Sequence, residues 1–337
     1  MDRRISLLRL LACFMVVQLH VSAEVYAHWG PGWWAGNVYD SLTRACVPLF
    51  FMIAGATLLR RDEPVDVFVR RRASRILPPL LLWSAFYLWW LWYNGAFPAD
   101  WNLVRRVVAG PTMFHLWYFY ALVGVYATVP LLRKFYLHGS RSDHLWFLGI
   151  WLAAASLIPT ARDMLGGVRC EGALASEQLT SVYHLEYFVG YPGFLLLGAF
   201  LADKPLRKAP AGFAFVGASL ATMLASAWLS RRYGSQCEYF FVYLSPLVIV
   251  AAAGLFSWFM AGAEQPSPRW LTAISDCTLG VYGLHVFMID PLFRRQGWVP
   301  TAGNPWISAP LVAVGVFGAC LAVVFLLRLV KPLRRVF

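Results

Sequence analysis

Charged side chains are scarce in this 337-residue chain. They make up 14% of it, against about a quarter in an ordinary soluble domain, and acids are the minority, 17 Asp and Glu beside 29 Lys and Arg. Cysteine is rare as well, with six, and no CxxC pair or His/Cys cluster argues for a metal. Also missing are a Gly-rich phosphate loop, the alternating strand pattern of an extramembrane enzyme, internal repeats and low-complexity tracts. These absences exclude a soluble globular enzyme, a disordered chain and a disulfide-rich secreted module. What is present is apolar: 59% hydrophobic residues, a mean hydropathy of +0.58, and 16 Trp, 15 Tyr and 24 Phe, which suit interfacial belts and a lipid-facing exterior. The expected fold is an all-α, polytopic membrane helical bundle.

Hydrophobic runs predict ten spans, at 5–27, 43–59, 75–94, 114–132, 144–160, 183–202, 211–230, 239–261, 273–293 and 308–329, as a single domain over 1–337 with no separate soluble part. With Met1 inside, 20 Lys and Arg fall on the cytoplasmic side and 8 outside, with Arg44 left over near the outer end of the second span. The positive-inside rule then puts both termini in the cytoplasm. A cleaved signal peptide is the rival for the first segment, because Arg3 and Arg4 precede an apolar run and Val21-Ser22-Ala23 loosely resembles a cleavage site. Arg9 and Gln18-Leu19-His20 interrupt that run and speak against it. The basic residues sit in short clusters between apolar runs, so they read as topology determinants and contacts to anionic membrane lipids, with no nucleic-acid partner. Cys13, Cys46, Cys277 and Cys320 lie in spans as small buried hydrophobes. Cys170 and Cys237 fall in outward loops, in a compartment that permits a disulfide; spacing does not decide whether those loops meet.

Ionisable residues inside a membrane are costly and so become candidates for function. Arg9 and His20 are eleven residues apart, which places them within about 20° of one helix face and roughly 16 Å apart along the axis. Glu24 follows at i+4 and can reach the His20 ring. An imidazole so placed suits general-base activation of a hydroxyl. Arg72 and Arg75 share a face at the inner surface and can fork onto phosphates. Arg44, His115 and His285 are further polar breaks in apolar runs, and with His20 they are expected to frame a polar cavity open outward. Glu186, Asp276 and Asp290, near span ends, are weaker candidates.

Arg9 and His20 with ten residues between them in the first span, Val47-Pro48-Leu49-Phe50-Phe51-Met52-Ile53-Ala54-Gly55, Arg72 and Arg75 opening the third span, His115-Leu116-Trp117-Tyr118 and Leu279-Gly280-Val281-Tyr282-Gly283-Leu284-His285 occur in this order. Together they resemble the acyltransferase-3 family of integral-membrane acyltransferases, and most of all its compact type, similar to the O-acetyltransferase of enterobacterial common antigen. The resemblance implies a bacterial inner-membrane enzyme that moves an acyl group, usually acetyl, from acyl-CoA to a hydroxyl of an extracytoplasmic or lipid-linked glycan, with no metal. It matches His20 to the essential histidine, Arg9 to its paired basic residue, and Arg72 and Arg75 to the pair that holds the acetyl-CoA donor. Ala54 stands where the family ordinarily has serine, while Gly55 still allows close helix packing. Arg44, His115 or Tyr282 would stabilise the oxyanion. A covalent acyl-His20 intermediate is the competing mechanism. Two rival functions remain: a non-enzymatic flippase or exporter of a polar lipid or acid, and an acyltransferase for a small lipid or natural product. The first would show Gly/Pro-broken helices in corresponding halves, and Pro48, Pro78, Pro79, Pro192 and Pro246 show no such symmetry.

Overall fold

A backbone surrounded by hydrocarbon must satisfy its own hydrogen bonds, and long uninterrupted helices do this segment by segment. The computed structural model describes residues 2–96, 102–170 and 190–337, and in them the chain is helical with no strands. In chain order the helices are α1 Arg3–Tyr26, α2 Trp33–Thr43, α3 Cys46–Leu58, α4 Val65–Tyr93, α5 Leu103–Ala109, α6 Trp117–His138, α7 Arg141–Leu152 and α8 Ile158–Gly166. They continue with α9 Pro192–Asp203, α10 Lys208–Tyr233, α11 Pro246–Met260, α12 Arg269–Ser275, α13 Thr278–Phe287 and α14 Pro305–Leu329. Local chemistry sets several starts. Asp2 caps α1 by accepting from the Arg4 amide, Ser140 and Asp143 form a capping box on α7, and Asn304 with Pro305 opens α14.

Among the described residues eight helical stretches are long and apolar enough to cross a membrane, and α12 with α13 makes a ninth candidate that bends by 41°. Helix α9 is apolar but shorter, and the start of the predicted sixth span, with Glu186, lies outside the described residues. Three boundaries differ from the hydropathy reading in an informative way. The second span begins at Trp33, ten residues before the predicted start, and is broken at Arg44-Ala45. Asn37, Asp40 and Ser41 lower the hydropathy of α2, yet all three are buried, with the Asn37 amide donating to the Met223 carbonyl at 3.0 Å. The third span also starts ten residues early, at Val65, because Arg70, Arg71, Arg72 and Arg75 ride on the same continuous helix as the apolar run. In the fifth, the chain loosens into a π turn at Ala153–Leu157 just before Pro159, which has no N–H to continue the ladder.

Helix α1 is the centre of the bundle and packs against α2, α3, α12, α13 and α14. The closest crossing is between α3 and α9. A Cβ on Gly55 would run into the Leu195 carbonyl, and one on Gly198 into the Met52 carbonyl, so each glycine admits the other helix's backbone. The exterior is strongly apolar, with Leu131, Trp146 and Phe213 each at least 74% exposed, as a lipid-facing surface requires.

Candidate active site

A cavity of about 1030 Å³ enters the bundle between α1, α3, α4, α6, α12, α13 and α14. That is at the upper end of the range for pockets that bury a sizeable ligand. One end is lined by Arg9, Arg72, Arg75, Arg328 and Arg334, with Asp276 as the acid among them. Arg9 Nη1 stands 4.0 Å from Asp276 Oδ1, and Arg328 Nη2 stands 3.8 Å from Asp276 Oδ2. Arg72 is held from outside the cavity by Glu63, 4.0 Å away. Glu63 also binds Arg71 at 2.6 Å and Arg133 at 3.6 Å, and Arg133 is buried with its Nε donating to the Leu58 carbonyl at 2.9 Å. Arg75 has no ion pair among the described residues. The cavity therefore carries a surplus of positive charge at this end, presented by guanidinium groups suited to bidentate phosphate recognition.

The other end narrows to apolar and aromatic side chains, among them Val16, Val47, Tyr118 and Tyr282. His20 lies one turn beyond Val16 on the unbroken α1, and His285 lies three residues beyond Tyr282 on α13. The three histidines meet here. The His20 and His285 rings are 5.0 Å apart, centroid to centroid, and His285 and His115 are 5.2 Å apart. His285 Nδ1 is 2.6 Å from the Tyr282 carbonyl. A carbonyl only accepts, so the neutral ring carries its proton on Nδ1, and Nε2 is left as a buried bare acceptor with no partner among the described residues. By the same reasoning His115 directs an Nε2 proton at the Gly283 carbonyl, 3.4 Å away, and its Nδ1 is bare. His115 and His285 are fully packed, whereas His20 retains partial exposure and has no hydrogen-bond partner among the described residues.

Several residues singled out in the sequence take different positions from those expected. The Glu24 carboxylate does not orient His20; it pairs with Arg294 Nη2 at 2.9 Å, in a cluster with Asp290 on the same arginine. The 3-10 turn Arg294–Gln296, beyond the end of α13, brings a guanidinium close, and its charge outcompetes a neutral ring for the carboxylate. In place of a carboxylate, His20 has the His285 ring and an edge contact to Phe114, centroids 5.4 Å apart. The Tyr282 hydroxyl donates to the His115 carbonyl, so its proton is committed to fixing the segment that carries His115. Arg44 is bonded to Asp40 at 2.8 Å in a pair with side-chain exposures of 12% and 1%, and it lies 4.4 Å over the Phe241 ring. The polar cavity lies on the arginine side of the histidines rather than being framed by them, because Tyr87, Phe114 and Tyr282 pack around the rings. Cys170 and Cys237 are joined in a disulfide that ties the segment after α8 to the one after α10; Cys13, Cys46, Cys277 and Cys320 are free and buried.

Asp40, Glu63, Arg133, Arg328 and Arg334 were not distinguished as site residues by their sequence context. Asp40 sat outside the predicted span, Glu63, Arg133 and Arg334 read as ordinary loop charge, and Arg328 read as topology charge at the end of the tenth span. The available signal was Arg328, the penultimate residue of a 25-residue apolar helix.

The family comparison settles what kind of bundle this is, because the acyltransferase domain of the acyltransferase-3 family matches residues 2–329. The chain belongs to that family. Two curated relatives are similar at lower identity: an amino-acid racemase of Enterococcus faecalis, 24% identical over 294 residues, and a serine/alanine racemase of Enterococcus gallinarum, 23% identical over 313 residues. These alignments take in 80% and 86% of this chain and 39% and 41% of the relatives, so the chain spans about two fifths of their length. No solved structure matches it. The acyltransferase domain and the apolar helices identify a multi-pass membrane protein of this family.

Proposed function

We propose that this protein transfers an acyl group, acetyl by preference, from acyl-CoA to a hydroxyl of an extracytoplasmic or lipid-linked glycan, in the manner of the common-antigen O-acetyltransferases. The observation that carries the proposal is a single cavity with an arginine surplus at one end and a three-histidine cluster just past the other. In this reading the arginine end faces the cytoplasm of a bacterium, as the balance of basic residues requires, and the whole chain forms one domain in the inner membrane.

Arg72 and Arg75 would hold phosphates of the donor. The rise of α1 between Arg9 and His20 is roughly 16 Å, about the reach of an extended pantetheine arm, and that length brings the thioester to His20. There the acceptor oxygen bonds to the acyl carbon as the carbon–sulfur bond breaks. His20 takes the hydroxyl proton and returns it to the departing thiolate, so that free CoA and an ester leave. His285, its proton fixed on the Tyr282 carbonyl, offers Nε2 to receive the His20 N–H, which would orient the other His20 nitrogen toward the acceptor. Oxyanion stabilisation falls to Arg44, because the protons of Tyr282 and neutral His115 are committed to carbonyls.

The test is incubation of the purified protein with radiolabelled acetyl-CoA, scoring free CoA and protein-bound label. CoA release is expected from the wild type, lost in His20→Ala, with donor affinity weakened about 100-fold in the Arg72→Ala/Arg75→Ala double variant. Full turnover by His20→Ala sinks the mechanism. Binding of acetyl-CoA without release from any of the proteins would point to the transporter instead. Label retained on the wild type but absent from His20→Ala would establish the covalent route.

A further inference from the structure

The positive surplus of the cavity is divided between two parts of the fold. Helix α4 supplies Arg72 and Arg75, while Arg328 comes from the end of α14 and Arg334 from the short 3-10 turn Lys331–Arg335 that follows it. That following segment is built into the wall. Arg334 Nε donates to the Arg328 carbonyl at 2.7 Å, and Arg328 Nη1 donates to the main-chain oxygen of Phe337. Phe337 packs edge-on against Trp83 of α4, centroids 5.6 Å apart. Its backbone comes in over Gly280, where a Cβ would stand 3.4 Å from the Phe337 Cα.

The carboxylates near the cavity do not cancel this charge. Asp276 is shared by Arg9 and Arg328, and Glu63 is shared by Arg71, Arg72 and Arg133. Arg75 and Arg334 have no ion pair among the described residues, and the terminal nitrogens of Arg334 have no hydrogen-bond partner there. One uncompensated guanidinium therefore stands on each element, two sites for anionic groups rather than one.

Coenzyme A also carries its phosphate in two places, a diphosphate in the chain and a separate phosphate on the 3′ position of the ribose. We propose that Arg334, supported by Arg328, binds the 3′-phosphate while Arg72 and Arg75 take the diphosphate, so that this protein selects a 3′-phosphorylated donor. The proposal rests on the acyl-CoA reading above and adds donor selectivity to it. Arg334 is exposed and carries none of the helix packing, so its substitution leaves the bundle intact.

The experiment is calorimetric titration of the full chain in nanodiscs with CoA and with 3′-dephospho-CoA. The wild type is expected to bind CoA about tenfold more tightly than the dephosphorylated form. In Arg334→Gln that ratio collapses toward one, because CoA binding weakens and dephospho-CoA binding does not. Arg334→Lys retains part of the ratio, and Arg75→Gln weakens both ligands by the same factor. Equal binding of the two ligands by the wild type, or a ratio that survives Arg334→Gln, overturns the selectivity proposal and leaves the acyl-CoA reading standing. Failure of the wild type to bind either ligand overturns both.

Discussion

The two ends of the cavity handle polarity in opposite ways. At the arginine end, charges are numerous and partly exposed, and each carboxylate is shared by more than one guanidinium, so net charge is left over. Such groups attract an anion and cost little to keep, because solvent and neighbouring charges moderate them. At the histidine end there are rings only. Among the described residues no carboxylate touches them, two are anchored on main-chain carbonyls, and bare ring nitrogens are left buried. In the mechanism proposed above, the difference separates capture of a charged ligand from movement of a proton, with the two tasks on opposite halves of the same helix, α1.

A third region, the Asp40–Arg44 pair, is charged like the arginine end and buried like the rings, and breaking it gives the largest expected effect. Asp40→Asn leaves a guanidinium buried without its counter-charge, a cost of about 3–5 kcal/mol. A thermal unfolding midpoint equal to wild type would show that Arg44 finds water or another partner. Next comes the disulfide. Cys170→Ser releases a constraint on a long loop and should lower stability under oxidising conditions by about 2–4 kcal/mol; wild-type protein treated with reductant should fall to the same midpoint.

The comparison itself is sharpened by His285→Ala. If the rings act as a unit, turnover falls about 100-fold, the low end for a group that serves an acid–base step, while donor KM stays put. A changed KM with unchanged kcat would place His285 among the binding groups and erase the division. The smallest effect has the opposite sign. Asp276→Asn removes the acid from the arginine end, and donor affinity should rise about three- to fivefold at low salt, with the gain fading as ionic strength increases. Weaker binding in that variant would mean that Asp276 acts mainly to hold Arg9 and Arg328 in place.

Much of this was visible in the order of residues along the chain. Apolar runs located the helices, because a continuous apolar segment in a membrane satisfies its own backbone as a helix, and the Arg9-to-His20 spacing survives intact because α1 is one continuous helix. The Ala54-Gly55 motif likewise kept its packing role without its usual hydroxyl, since the close approach to Leu195 depends on Gly55 alone. Partnership was not visible. Glu24 stands one turn from His20 in sequence, yet its carboxylate belongs to Arg294, 270 residues on. Asp40 looked too polar for a span until Arg44 closed over it. Arg328 and Arg334 looked like topology charge until the chain turned back and set them beside Arg9 and Arg72. Periodicity and hydropathy are local properties, so the sequence by itself determined the helices and the face each residue occupies. Which charge neutralises which, and which is left over to bind, depends on contacts between helices far apart in the chain, and only the tertiary structure decided it.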